Sequence, residues 1–178
     1  NPAGRLPVTF YKTLAQLDDG LTQTGDSKRQ GFENYDMKGR TYRYLASQPL
    51  YAFGHGLSYT TFNYGRVELQ SAKIEGAKGV QFSIPVSNIS DRDGEEVIQV
   101  YVKRLDDPNA PLKSLRAFSR VPFKGKQRKK IDISLSADSF RFYDDAQGSM
   151  RIKEGKYQIL YGGSSTDDQL HSLDIEVI

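Results

Sequence analysis

The sequence predicts a mainly β fold, and three observations lead to this prediction. Apolar and polar residues alternate with a period of two in the second two-thirds of the chain, and turn signals separate the alternating runs. The composition agrees, because eleven Tyr and nine Phe accompany a modest hydrophobic share of 37%. Aromatic and β-branched residues favour strands with one exposed face. Sixteen Gly and seven Pro are available for turns.

The alternation begins at about Thr60 and continues to Ile178. Such alternation buries one face of each strand and exposes the other. Pro85 inside the first run predicts an edge strand or a bulge there, because proline lacks the N–H that a central strand uses. The runs are "VQFSIPVSN", "EEVIQVYVKR", "KIDISLS", "KYQILYGG" and "HSLDIEVI", with inward-facing residues predicted at Phe82, Ile84, Val86, Ile98, Val100, Val102, Ile131, Ile133, Leu135, Leu173, Ile175 and Val177.

Turn signals between these runs complete the prediction for residues 60–178. They are "SDRDGEE", "DDPNAP", "FKGKQ", "DDAQG" and "KEG". About seven short strands with this punctuation, over about 120 residues, are typical of an immunoglobulin- or fibronectin type III-like β-sandwich. Residues 1–59 are irregular by comparison, with a strand-like "LPVTF" and one helical turn predicted in "TLAQLDDGL". We do not expect residues 1–59 to close a core alone.

Charge and composition exclude several function classes. The net charge of +3, from 25 basic and 22 acidic residues, is too small to indicate nucleic-acid binding. The absence of Cys excludes disulfides and Cys-based zinc sites. The chain also lacks an apolar run of the roughly 18 residues that span a membrane. It begins "NPAGRLPVTF", without a signal peptide or an initiator Met, and we therefore expect a processed or excised segment.

The stretch "YAFGHGLSYT" predicts a corner between two domains, formed by Tyr51, Phe53, Gly54, Gly56 and Tyr59. Glycines permit backbone angles that other residues avoid, and we expect the aromatic residues and Leu57 to pack the corner. Direct ligand contact is the alternative. No nucleophile motif lies next to His55 in the sequence, so we do not predict catalysis by His55. The only other histidine is His171, so we do not predict metal binding by His55 either.

Several motifs together resemble glycoside hydrolase family 3. "NPAGRLPVTF" resembles the end of the α/β sandwich domain of these enzymes, and "GRTYRYL...PLYAFGHGLSYTTF" resembles the segment that follows. "GEEVIQVYV", "LRAFSRVPF" and "FYDDAQGSMRIKEGKYQILYGGSS" are similar to their C-terminal fibronectin type III-like domain. His55 and Ala52 depart from the usual Tyr and Pro. The resemblance implies that residues 1–59 end an α/β sandwich domain and that residues 60–178 form the fibronectin-like domain.

The resemblance further implies a retaining, exo-acting β-glycosidase acting on terminal β-glucosides or β-xylosides. Retention uses two carboxyl groups about 5 Å apart. In the family these groups belong to a barrel and to an earlier part of the sandwich domain, so no catalytic residue is expected in this chain. The implied partners are upstream catalytic domains and, through them, a β-linked oligosaccharide. No cofactor, metal, nucleic acid or membrane is expected, and the family habit suggests a secreted or periplasmic protein.

The carboxylates in this chain do not form a catalytic pair by spacing. Neighbours on a strand point to opposite faces, and most of these residues lie in predicted turns, where Asp caps the backbone. "SDRDGEEV" resembles the start of a calcium loop but lacks the Glu at position twelve, so we predict a hairpin turn. The adjacent pairs are Asp18-Asp19, Glu95-Glu96, Asp106-Asp107, Asp144-Asp145 and Asp167-Asp168.

Two clusters leave alternatives open. "YDMKGRTYRYL", residues 35–45, offers Arg40, Tyr42 and Arg43 as substrate-binding residues, and the alternative is that they seal an interface between domains. The basic run "KGKQRKK", residues 124–130, is expected to be a solvated rim, with polyanion binding as the alternative.

A free-standing carbohydrate-binding or adhesion module is the competing function. Such a module has no use for the strand-like Leu6 to Phe10, since an unpaired strand edge is a liability. We therefore expect Leu6 to Phe10 to pair with another polypeptide or to be poorly supported within this chain.

Overall fold

The computed structural model describes residues 1–13, 15–18, 37–75, 77–144 and 146–178. Its short helices are α1 (Ala15–Asp18) and α2 (Thr41–Tyr44), and 3-10 turns lie at Ala137–Phe140 and Asp167–Gln169. The strands are β1 (Phe62–Tyr64), β2 (Lys73–Ile74), β3 (Val80–Asn88), β4 (Gly94–Arg104), β5 (Ser114–Phe123), β6 (Arg128–Leu135), β7 (Arg141–Asp144), β8 (Ser149–Ile152), β9 (Gly155–Gly162) and β10 (His171–Val177). Within the described ranges, neither helix is long or apolar enough to cross a membrane.

Two sheets form the sandwich, so the mainly β prediction is confirmed. The smaller sheet has the order β1-β3-β6, and the larger has the order β2-β10-β9-β4-β5. All pairings are antiparallel except β2 with β10, and β7 and β8 form a separate ribbon. The single turn α1 lies within the predicted helical stretch, whose Leu14 and residues 19–21 are outside the described residues.

The inner faces of the two sheets meet in one apolar core. The period-two alternation was a correct guide to it, because the predicted inward positions of β3 and β4 are buried. Phe140 and Phe142, which lie outside the alternating runs, close one side of the core. The fully buried side chains include Ile84, Val86, Ile98, Val100, Val102, Leu135, Phe140, Tyr157 and Ile159.

Pro85 lies in β3, which is the middle strand of its sheet. The N–H of Gly65 donates to the Pro85 carbonyl at 2.8 Å, but Pro85 has no N–H to return to Gly65. The Tyr161 hydroxyl supplies the missing donor, at 3.0 Å from the Gly65 oxygen. Because β1 ends at Tyr64, the proline faces a side where β3 has no further strand neighbour. The predicted edge strand or bulge is therefore wrong, because β3 lies between β1 and β6 and keeps a regular register with β6 at Pro85.

Two further local predictions were wrong. The turn of residues 89–93 joins β3 to β4, which belong to different sheets, so it is a crossing between layers and not a hairpin. Leu6 to Phe10 have partners within this chain: the Leu6 N–H donates to the His55 carbonyl at 2.9 Å, and Phe10 forms a β-bridge with Tyr51. Leu6 and Phe10 thus pair with the 50–56 stretch of this chain, whereas we expected pairing with another polypeptide or poor support.

Candidate functional site: the contact between residues 1–59 and the sandwich

The outer face of β4 is covered by the corner at residues 51–59. Gln99 and Tyr101 point to this face, opposite the core residues Val100 and Val102, yet both are buried. The Gln99 amide donates to the Gly163 carbonyl at 2.7 Å, and its oxygen accepts from the Tyr101 hydroxyl at 2.5 Å. A fully satisfied buried amide of this kind fixes one geometry for the elements around it.

Gly54 meets Gln99 at a distance that only glycine allows. Its φ of +79° is in the left-handed region, and a Cβ built on it would lie 2.2 Å from the Gln99 Oε1. The Gly54 N–H donates to the Leu6 carbonyl at 2.8 Å, which links the corner to the N-terminal stretch. Gly56 has a similar role, because a Cβ there would lie 2.1 Å from the Gly4 carbonyl oxygen.

Tyr42 of α2 is held in a stack of aromatic rings. Its ring is stacked on Phe53 with centroids 4.4 Å apart and meets Tyr101 edge-on at 5.7 Å. Its hydroxyl accepts the Leu115 N–H at 3.1 Å. Burial raises the pKa of the Tyr101 hydroxyl, and Tyr42 raises it further, so Tyr101 is neutral at any physiological pH. The stack attaches α2 to β4 and β5.

A buried ion pair joins the N-terminal stretch to the end of the sandwich. An Arg5 Nη donates to Glu96, whose side chain is only 3% exposed, and the other Nη donates to the Gly56 carbonyl at 2.6 Å. The Tyr64 hydroxyl donates to the second Glu96 oxygen at 2.8 Å. Burial raises the pKa of Glu96, whereas Arg5 and the Tyr64 hydroxyl act in the opposite direction. Residues from β1, β4 and the 1–59 segment meet here.

Backbone bonds and one lysine complete the contact. The Ser165 N–H donates to the Phe53 carbonyl at 2.9 Å, and the Leu112 N–H donates to the Arg43 carbonyl at 2.7 Å. The buried Lys113 ammonium donates to the Ser165 carbonyl at 2.8 Å and also bonds the Asp167 carboxylate. These bonds connect the corner and α2 to the loop that follows β9 and to the start of β5.

The structure brings together only part of the predicted corner. Phe53 and Gly54 contact the sandwich as described, and Tyr51 packs against His55, with ring centroids 5.2 Å apart. Leu57 is 77% exposed and Tyr59 is 72% exposed, so the expectation that they pack the corner is wrong for this chain alone. Arg92 lies over the Tyr59 ring at 6.0 Å.

The predicted substrate-binding residues are placed like interface residues. Tyr42 belongs to the aromatic stack, and Arg43 lies over the Tyr44 ring at 5.5 Å. Arg40 precedes α2 and is half-buried, with its N–H donating to the Met37 carbonyl at 3.0 Å. Substrate binding by these residues stays a prediction. Tyr35 and Asp36 of the same stretch lie outside the described residues.

In each of the four acidic pairs from Glu95 onwards, at least one carboxylate forms an ion pair with a basic side chain. Glu95 bonds the exposed Arg120 on one face of β4, while its neighbour Glu96 is buried on the other. Arg104 binds both Asp106 and Asp107, at 2.6 and 3.4 Å. Asp144 lies 3.2 Å from Lys153, and Asp145 and Asp19 are outside the described residues. Among the described side chains, no three His, Asp or Glu are grouped as metal ligands.

The two charged turns at residues 89–93 and 124–127 bind each other. The Asp93 carboxylate accepts from the Gly125 N–H at 2.9 Å and from the Lys124 ammonium at 2.8 Å. Asp91 lies 3.4 Å from Lys126. Two lysines of the basic run are therefore neutralised by the acidic turn, which accords with the solvated rim.

A cleft of about 870 Å³ separates residues 45–55 from the outer face of the larger sheet. Tyr51 and His55 line one wall, and Lys103, Gln158 and Ser172 line the other.

Sequence reasoning missed Arg5, Gln99 and Lys113 in the surrounding contact. The sequence contains only a weak indication that Gln99 is buried. It is the one amide in the apolar run "VIQVYV", and it occupies a position where the alternation predicts exposure to solvent.

Comparison with known proteins identifies the sandwich. Residues 96–165 match the family described as fibronectin type III-like domain. The central part of the sandwich is therefore similar to this family. The matched range holds β5, β6 and β9 in full and β4 from Glu96 onwards, together with Gln99 and Lys113 of the contact.

The whole chain resembles segments of longer glycosidases. It is 44% identical to a xylan 1,4-beta-xylosidase of Xylanibacter ruminicola, over 98% of this chain and 19% of the relative. It is 30% identical to thermostable beta-glucosidase B of Acetivibrio thermocellus, and the match covers 94% of this chain and 22% of the relative. A solved β-glucosidase structure from Erythrobacter marinus superposes on this chain with a TM-score of 0.75 and is 30% identical in sequence. The superposition covers 99% of this chain and 22% of the β-glucosidase. The resemblance to glycoside hydrolase family 3 enzymes is confirmed, and the chain spans about a fifth of these relatives.

Proposed function

We propose that this chain is the C-terminal structural part of a retaining, exo-acting family 3 glycosidase that hydrolyses terminal β-D-glucosides or β-D-xylosides. Its fibronectin-like domain buttresses catalytic domains that lie outside the chain. The observation that carries the proposal is the match of almost the entire chain to about a fifth of a β-xylosidase and of two β-glucosidases. The predicted division at residues 59 and 60 and the secreted or periplasmic location belong to the same proposal.

The surface of residues 1–59 supports a buttressing role. Its backbone edge is paired within the chain, but many of its apolar side chains are exposed, and clustered exposed apolar groups mark interaction sites. The exposed apolar side chains lie on or next to the two stretches of backbone that pair with each other through Leu6, Phe10, Tyr51 and His55. The exposed apolar residues of this surface include Val8, Phe10, Leu50, Tyr51, Leu57 and Tyr59.

The ion pairs of this chain support the absence of a catalytic role. Glycoside hydrolysis with retention uses two carboxyl groups about 5 Å apart, with one ionised for attack and the other protonated. Glu96 is committed to Arg5 and Tyr64 in a buried site, and Glu95 to Arg120 on the opposite face. Neither carboxylate is arranged to act on a sugar bond with the other.

The purified chain should not hydrolyse aryl β-glucosides or aryl β-xylosides, whereas the longer polypeptide encoded with it should hydrolyse one of them. Replacing Leu57 and Tyr59 with Ser should leave the thermal stability of this chain unchanged. In the longer polypeptide the same pair of changes should reduce thermal stability and activity. Turnover by the chain alone, or equal tolerance of the two changes in both contexts, would contradict the proposal. A strong signal on a glycan array would favour the alternative of a carbohydrate-binding module.

A further inference from the structure

An apolar patch lies on the outer face of β5, beside the start of β4. Phe118 and Pro122 are exposed on this face, and Phe118 is 70% exposed. Arg120, which lies between them on the same face, pairs across the ladder with the half-buried Val97 of β4. Val97 is therefore diagonally opposite both apolar residues, at a spacing where side chains across a ladder interact. We call Phe118, Val97 and Pro122 the β5 patch.

The outer face of the smaller sheet is polar by contrast. The Ser83 hydroxyl donates to the Asp132 carboxylate at 2.5 Å on this face. Such a face is well hydrated, whereas an exposed aromatic ring with apolar neighbours marks a site of interaction. The two outer faces of the sandwich therefore differ in what they can contact. The central pairs on the polar face are Gln81 with Ser134, Ser83 with Asp132 and Pro85 with Lys130.

The β5 patch has a charged border and continues an existing contact. Arg120 forms an ion pair with Glu95, and their side chains are 62% and 39% exposed. Phe118 pairs with Gln99, which the corner covers at Gly54. The patch thus begins where the contact between the 1–59 segment and the sandwich ends. A small apolar centre with a polar border is typical of contacts between domains of one polypeptide.

Asn1 lies at the edge of the β5 patch. Its side-chain amide donates to the Asp93 carbonyl at 2.9 Å and to the Thr60 hydroxyl at 3.1 Å. Asn1, Glu95 and Pro122 line one groove of about 490 Å³. Under the proposed function the catalytic domains precede Asn1, so they join the chain beside the patch. A domain tethered by a short linker has an effective concentration of about 1 mM, and a small patch is then sufficient to hold it.

We propose that the β5 patch is the surface through which the sandwich itself contacts the catalytic domains. This inference rests on the proposed function and deepens it, because it adds a contact made by β4 and β5 to the exposed apolar residues of the 1–59 segment. The partner surface that fits is apolar opposite the Phe118 ring and polar opposite Arg120 and Glu95. The outer face of the smaller sheet stays in water in the longer polypeptide.

Hydroxyl-radical footprinting read by mass spectrometry tests the contact, because these radicals oxidise exposed aromatic rings. The oxidation rate of Phe118 is compared between this chain and the longer polypeptide encoded with it. Phe118 should be oxidised at least tenfold more slowly in the longer polypeptide. Tyr143 is the matched control, since it is 58% exposed on the separate ribbon of β7 and β8, and its rate should be the same in both. Equal rates for Phe118 in both polypeptides would overturn the inference.

Variants of Phe118 test whether the contact holds the domains together. Phe118→Ser should leave the melting temperature of this chain unchanged, because the ring is exposed here. In the longer polypeptide it should lower the melting temperature by about 2 °C or more, since buried apolar surface is lost. Phe118→Tyr keeps the ring and Tyr143→Ser lies outside the patch, so both should behave as the parent does. No effect of Phe118→Ser in the longer polypeptide, or an equal effect of Tyr143→Ser, would contradict the contact.

These measurements are independent of the test of the proposed function. A longer polypeptide that is an active glycosidase but has a fully oxidised Phe118 would overturn the inference and leave the proposed function intact. An inactive longer polypeptide with a protected Phe118 would contradict the proposed function and leave the contact in place. Protection of Phe118 that appears as this chain is concentrated, together with sedimentation as a dimer, would assign the patch to a second copy and overturn the inference.

Discussion

The sandwich and the 1–59 segment are held in place by different forces. The sandwich closes an apolar core in which Ile98, Val100 and Ile159 are fully buried. The segment has one buried apolar side chain among its described residues, Ala3, and it is attached by directed contacts instead. Burial of apolar surface tolerates small shifts, whereas hydrogen bonds and close backbone approaches do not. The segment should therefore be more sensitive to single polar or glycine changes than to loss of apolar surface.

The largest effect should come from the core of the sandwich. Ile98→Ala should lower the free energy of unfolding by about 2–5 kcal/mol, because it removes buried methyl groups and leaves a cavity. Urea denaturation followed by circular dichroism measures this change. Leu57→Ala in the segment is the control and should change stability by less than about 0.5 kcal/mol. Similar losses for both variants would mean that Leu57 is buried in solution.

Glu96→Gln should have the next largest effect, since it leaves the Arg5 guanidinium without its charged acceptor. We expect a loss of about 2 kcal/mol, the usual value for a hydrogen bond to a charged group. Glu95→Gln is the matched control, because Glu95 is the neighbouring residue and its partner Arg120 is exposed. Its loss should be at most about 1 kcal/mol. If the two variants were equally stable, the buried pair would not hold the segment.

Gly54→Ala should loosen the segment while the sandwich stays folded. The new Cβ would clash with Gln99 and would also strain a backbone with positive φ, at a combined cost of about 1–3 kcal/mol. Gly148→Ala separates the two causes, because Gly148 has a φ of +60° with nothing within 4 Å of its Cβ position. Limited proteolysis should cut the segment of the Gly54 variant faster than that of the Gly148 variant. Equal cutting rates would show that the approach of Gly54 to Gln99 is unimportant.

The smallest effect should be a pH dependence that belongs to the sandwich alone. The hydrogen bond from Lys124, followed by that from the Gly125 N–H, lowers the pKa of Asp93 below its ordinary value. Because the pKa of Asp93 is lower in the folded chain than in the unfolded chain, its carboxylate stabilises the fold at pH values above its pKa in the unfolded chain. This stabilisation is lost as the pH falls through the pKa of Asp93 in the folded chain. Asp93→Asn should therefore be slightly less stable than the parent at pH 7, and the difference should vanish in acid. A difference that persists at pH 2 would exclude this cause.

The core positions of the sandwich were predictable because the alternation of apolar and polar residues is a local property of each strand. Alternation in β3, β4 and β10 assigns Ile84, Val100 and Ile175 to the core without knowledge of their partners. Sheet membership was not predictable in the same way. The turn of residues 89–93 has the composition of a hairpin turn, and only the packing of both sheets decides that β3 and β4 lie in different layers.

The contact with the 1–59 segment was predictable only in part. Glycine spacing in "AFGHG" indicated unusual backbone angles, and Gly54 has one, because positive φ is a local property, whereas the corner between two domains stays a prediction. The partners Gln99 and Glu96 are 45 and 91 residues away from Gly54 and Arg5 respectively, and polar residues in a strand suggest exposure when read alone. Leu57 and Tyr59 are exposed in this chain, so their predicted packing against a second domain stays a prediction.

Hydrogen exchange of individual amides tests most directly whether the chain's own contacts hold the 1–59 segment on the sandwich. The informative amides are those of Gly54, which donates to Leu6, and of Ser165, which donates to Phe53. Both should exchange at least a hundredfold more slowly than in an unstructured peptide, and Gly54→Ala should remove most of this protection while leaving Val100 protected. Exchange of the Gly54 and Ser165 amides at the unstructured rate in the parent chain, with Val100 protected, would contradict the account.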